Sequence, residues 1–175
     1  MMQVRLTDLL FSPILLCSCT KTHKEAIMAP RIYFAHPINS YDTPLEITLL
    51  GAIYKHFSGM ISVVNPSDRI HQQKISALKE EYAERSIASK KIMEYFFEVT
   101  SMCQGGVGLA FPDGTLGAGV YSELKRLAEH KHPIWLITED GVMSPVTDIA
   151  HAPHLSIDDT RARVYMPDGS IRPYR

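Results

Sequence analysis

The chain has 175 residues, 45% hydrophobic and 21% charged, which suits one folded domain and excludes a disordered polymer. Its formal net charge is −1, so no broad basic field exists for a nucleic-acid polymer, although a single phosphate needs only a few local donors. No apolar stretch approaches the ~20 residues needed to span a bilayer, and three cysteines are too few for a disulfide framework, which makes a reducing cytoplasm the expected compartment.

Residues 1–27 read as a poorly ordered extension. Within them, residues 9–16 followed by Cys17 and Cys19 faintly resemble a secretory leader, but Asp8 and Pro13 break the apolar run. Met28 stands just before the first strand and offers a second start. A single α/β domain is expected over residues 28–165, followed by a polar tail at 166–175.

Arg31–Ala35 (RIYFA) is β-branched and aromatic and is closed by His36-Pro37, so it predicts a buried first strand. After the polar loop 38–42, Thr43-Pro44-Leu45-Glu46 has the form of a capping box with proline at the first helical position. Leu50, Ile53, Tyr54 and Phe57 then repeat at helical spacing, which predicts a helix over 44–57 that stops at Ser58-Gly59. Residues 61–64 form the second predicted strand, closed by Asn65-Pro66-Ser67-Asp68. Residues 76–101 are helical in composition, as one helix or two, with Ile87, Ile92, Phe96 and Val99 facing inward.

Residues 106–111 (GVGLAF) predict the third strand, and Pro112-Asp113-Gly114-Thr115 turns out of it. A helix starting near Gly117 or Gly119 runs to about residue 131, with Val120, Leu124, Leu127 and Ala128 as its apolar stripe. Ile134–Ile137 (IWLI) is the fourth strand. Beyond residue 138 the pattern allows a short strand near Leu155 and a helical turn over 156–164. Strands alternating with helices predict an α/β protein, a flavodoxin/Rossmann-like three-layer sandwich with a mostly parallel sheet of four or five strands.

Ligands of open parallel sheets bind at the carboxyl ends of the strands. Three loops therefore matter, after the first, second and third strands. The third carries Gly114, Gly117, Ala118 and Gly119, which allow a ligand close to the backbone beside a helix N-terminus. It is not a P-loop, because Gly-Lys-Ser/Thr is missing, and not the dinucleotide pattern.

Glu123 lies one turn into that helix. A carboxylate there is expected to stay ionised through the helix dipole and can attack an electrophilic sugar carbon. Equally, the dipole alone accounts for a glutamate in a first turn. His36 faces the same edge, as a base or phosphate contact or as a turn residue. Ser40 and Tyr41 can hold a 5′-phosphate. Glu46 reads as a capping residue, Asn65 and Asp68 as turn formers, and Cys103 as a buried inert thiol. His130/His132 and His151/His154 lack the partners of a zinc site, so neither metal nor cofactor is expected.

The segments LAFPDG, GAGVYSELKRLAEHKH and PIWLI together resemble the central part of the nucleoside 2-deoxyribosyltransferase family, which includes deoxynucleotide and hydroxymethyl-CMP N-glycosidases. The opening strand, with its aromatic pair Tyr33-Phe34, is similar to that family's first strand. The resemblance implies an N-glycosidase or deoxyribosyltransferase acting on a small-molecule nucleoside or nucleotide, with Glu123 as nucleophile. It further implies that Asp113 contacts or protonates the base, that Tyr33 lines the sugar site beside the nucleophile, and that Gly117 and Gly119 lie close to the sugar or its phosphate. It also implies a homo-oligomer, in which a neighbouring subunit completes the site. Where the family places two aspartates, this chain has Phe96 and Gln104. That departure leaves a non-catalytic nucleotide-binding domain as the alternative.

Overall fold

A computed structural model describes residues 29–174, so the extension expected at residues 1–27 lies outside it. The strands are β1 (Arg31–Ala35), β2 (Ser62–Val64), β3 (Gly105–Leu109), β4 (Ile134–Ile137) and β5 (Met143–Val146). They form one sheet in the order β2-β1-β3-β4-β5, with every pair parallel except β4 and β5. The helices are α1 (Pro44–His56), α2 (Arg69–Glu81), α3 (Arg85–Ser101), α4 (Ala118–Glu129) and α5 (Ile157–Val164). The expected Rossmann-like α/β architecture is therefore present, with five strands.

The alternation of side chains along β1 explains the layers. Ile32 and Phe34 pack with Leu49 and Ile53 of α1 on one face. Tyr33 and Ala35 pack on the other with Ile75 of α2, Phe96 and Val99 of α3, and Val120, Leu124 and Leu127 of α4. Because the crossover through α1 leaves β1 in one direction and the next returns past it to β3, the strand order reverses there. The crevice of this topology lies at the carboxyl ends of β1 and β3.

Local differences from the expected elements have identifiable causes. Helical residues 76–101 divide into α2 and α3, with Tyr82 as the C-cap of the first and Glu84 as the N-cap of the second. β3 ends at Leu109 because Phe111 N–H bonds Thr115 and its carbonyl accepts from Gly114, closing a turn. Ile87, read as an inward residue, is exposed, as is Tyr54 of the α1 repeat. β5 was not expected: Pro145 argues against a central strand, but β5 is an antiparallel edge, where proline is tolerated. Near Leu155 there is only an isolated bridge between Leu116 and His154.

Residues 166–174 fold back on the domain. Arg172 N–H bonds the Val164 carbonyl, and Tyr174 donates from its hydroxyl to the Ala110 carbonyl at 2.5 Å while stacking on Phe111. Among the described residues no helix is long and apolar enough to cross a membrane.

Candidate functional site

The loop after β1 is built on a buried polar network. His36 Nε2 bonds Asn65 Oδ1 at 2.8 Å, Asn65 Nδ2 donates to Glu46 Oε1 at 2.8 Å, and Ser67 Oγ donates to the same oxygen. Glu46 Oε2 accepts from Asp42 N–H at 2.5 Å. Ser40 Oγ is shared between His36 Nδ1 at 2.8 Å and the Pro37 carbonyl at 2.7 Å. Burial lowers the His36 pKa; in the neutral ring Nε2–H donates to Asn65 Oδ1 and Nδ1 accepts the single Ser40 hydroxyl proton, which then does not serve the Pro37 carbonyl.

Glu46 is thus more than a cap. Thr43 does accept from Glu46 N–H as the capping box requires, but the carboxylate ties the β1 loop to the β2 loop. His36 and Ser40, expected to touch substrate, are buried inside this scaffold. They position the β1 loop and Tyr41, against which the His36 ring lies at 4.7 Å.

Glu123 is 8% exposed, on the face of α4 that meets the sheet. It has no ion-pair partner among the described residues. Burial pushes its pKa up to about 8, partly offset by the Tyr33 hydroxyl. The expectation of a carboxylate kept ionised by the helix dipole is corrected here: desolvation outweighs the dipole, because no cation compensates the lost water.

Tyr33 is fully buried, and its hydroxyl makes no hydrogen bond of normal geometry among the described residues. Burial first, and the Glu123 charge second, raise its pKa well above the ordinary phenol value. Tyr41 is raised by the same two causes in the same order. Both phenols therefore remain protonated, Tyr33 beside Glu123 and Tyr41 within reach of its charge.

A cavity of about 860 Å³ opens beside this cluster. Ala118, Gly119 and Ser122 of α4 form one wall, and Ile38 and Tyr41 of the β1 loop another. Glu123 follows Ser122 directly and lies one helical turn beyond Gly119. Opposing elements supply an apolar surface of Ile75, Ile92, Met93, Phe96 and Phe97, and a polar one of Lys79, Tyr82, Arg85, Lys90, Arg161 and Tyr165. The volume falls within the roughly 300–1,000 Å³ of small-molecule sites.

The remaining expected residues separate. Asp113 is exposed and paired with Arg163 of α5, at 2.6 and 3.1 Å, and it accepts from Thr115 N–H and Oγ1. The Arg163 guanidinium and the Thr115 donors hold its carboxyl well below the usual range. It is a latch between the β3 turn and α5, and its lowered pKa disfavours the protonated form that a general acid needs. Gly114, at φ +81°, supplies the left-handed residue of that turn and does not line the cavity. Gly117 is the α4 N-cap residue packed against Thr160, whereas Gly119 does line the cavity.

Phe96 stands in the cavity wall, and Gln104 lies at the opposite, amino end of β3, where Oε1 accepts from Arg31 N–H at 2.7 Å. Cys103 is buried, and desolvation raises its thiol to about 11. No group of three or more His, Cys, Asp or Glu side chains among the described residues is placed to bind a metal.

No protein-family model matches the chain, and no curated protein matches it in sequence. The site therefore rests on its own geometry. Sequence reasoning missed Ser122, Thr160, Arg161, Tyr165 and the cations of α2 and α3. None carries a local motif, and only the packing of α2, α3 and α5 around α4 brings them to one cavity.

Proposed function

We propose that this chain cleaves the N-glycosidic bond of a nucleoside or nucleotide, as a hydrolase or a base-exchanging transferase, with Glu123 as nucleophile. One observation carries the reading. A buried carboxyl without a cationic partner among the described residues sits at the carboxyl edge of the sheet, against the Tyr33 phenol and next in the chain to Ser122, which lines an 860 Å³ cavity. Such a group lowers stability, and strongly shifted carboxyls of this kind concentrate at functional sites.

In its ionised form Glu123 attacks C1′ as the C1′–N bond breaks. The bonding electrons leave with the base, which takes a proton from water. Water or a second base then attacks C1′ from the opposite face and releases the carboxylate, so two inversions give retention. Tyr33 supplies a buried hydroxyl that favours the ionised form. With Glu123 raised to about 8, the free enzyme is mostly protonated at pH 7, and kcat/KM is expected to rise with pH toward that value.

The small-molecule partner follows from this reading. A homo-oligomer and a cytoplasmic compartment rest on the family resemblance and on cysteine usage respectively.

The test incubates purified protein with the deoxynucleosides and their 5′-monophosphates and measures free base by chromatography. Base release that falls on the order of 10⁴-fold or more in Glu123→Ala is expected. Asp113→Asn should retain most of the activity, whereas loss of a true general acid costs roughly 10²–10⁴-fold. No release from any substrate would count against the reading.

A second reading, a nucleotide-binding domain without catalysis, is favoured by one observation: among the described residues no Asp or Glu, Glu123 included, lines the cavity. Calorimetric binding without turnover is its signature.

A further inference from the structure

We infer that the ligand is a nucleoside phosphate, bound through its phosphate by a cationic wall, and not the free nucleoside. This rests on the cavity being the substrate site. Four cations line it: Lys79 from α2, Arg85 and Lys90 from α3, and Arg161 from α5. α5 is far in sequence from the adjoining α2 and α3, and the chain as a whole has 18 basic and 19 acidic residues, so no global excess explains the gathering. Among the described residues no carboxylate lines the same cavity.

Among the described residues Lys79, Arg85 and Lys90 have no salt-bridge partner. Arg161 lies 3.7 Å from Asp158, and both side chains are more than half exposed, a pairing weak enough for a phosphate to replace. Like charges lining one cavity with only exposed, weakly paired carboxylates nearby repel one another, and an anion relieves that repulsion while gaining charge-assisted hydrogen bonds. The amino end of α4 does not serve this purpose alone, because Ala118 N–H is already taken by Thr160 Oγ1 at 2.9 Å. Tyr41 and Tyr82 add aromatic surface beside the cations, suited to a base or sugar.

The experiment compares each deoxynucleoside with its 5′-monophosphate by calorimetry and, separately, by base release. The monophosphate is expected to bind at least about tenfold more tightly. That ratio should fall toward one in Lys79→Glu/Arg85→Glu, and also in Lys90→Glu/Arg161→Glu, a second pair that shares no residue with the first. Millimolar inorganic phosphate should compete with the monophosphate.

Equal affinity for nucleoside and monophosphate overturns the inference, as does a ratio that both charge-reversed pairs leave unchanged. Tight monophosphate binding without base release supports the inference while removing the glycosidase reading. Equal base release from both substrate forms does the reverse. No binding of either form overturns both.

Discussion

Glu123 decides the account at the scale of single residues. Its carboxyl titrates near 8 in the folded protein and near 4.5 when unperturbed, because burial penalises its charged form. The unfolded chain therefore releases this proton at lower pH than the native one. Stability is complete below about pH 4.5 and declines as pH rises to about 8. Glu123→Gln keeps the shape and removes the titration. Denaturant unfolding should show the variant more stable by roughly 3 kcal/mol at pH 7, with little difference at pH 4. Equal stability of the two proteins at both pH values would show that the carboxyl is not desolvated as described. The position of Glu123 was legible in the sequence, since a helix starting after a glycine loop must place it near the ligand edge. Its protonation was not, because desolvation depends on Tyr33 and the packing of α4 on the sheet. For the same reason the pairing of Asp113 was not legible: its partner Arg163 is 50 residues away.

At the scale of elements, the glycines of β3 set how close α4 comes. A Cβ on Gly106 would stand 2.5 Å from Leu127 Cδ1, and one on Gly108 would fall inside the Leu124 side chain. Leu124 and Leu127 are themselves fully packed, so neither can simply swing away. The close approach lets α4 present Glu123 next to Tyr33 of the adjoining strand. Gly108→Ala is expected to cost about 1–3 kcal/mol by overpacking, measured by thermal or denaturant unfolding. A variant as stable as the parent would mean that this contact does not fix the helix. The sequence showed β1, β4 and α1 within a residue, because their apolar periods and stop signals are strong. The α2–α3 break and β5 were hidden, since Tyr82–Glu84 carries no glycine or proline and Pro145 obscures an edge strand.

At the scale of the whole molecule, the order β2-β1-β3-β4-β5 creates one crevice, and chain segments far apart in sequence converge on it. α1 covers one face of the sheet, while α2, α3 and α4 cover the other and enclose the cavity. The tail reinforces the edge: Tyr174 stacks on Phe111, and Arg163 lies over the same ring at 4.5 Å. This convergence gathers four cations around one cavity, with Glu123 buried just behind the Ser122 wall of α4. The measurement that reaches it most directly is mass spectrometry of the full chain after incubation with 2-deoxy-2-fluoro nucleosides and their 5′-monophosphates. A stable sugar adduct mapped by peptide digestion to Glu123, and absent from Glu123→Gln, is the expected result. Base release accompanied by no adduct, or by an adduct on another residue, would contradict the assignment of the nucleophile.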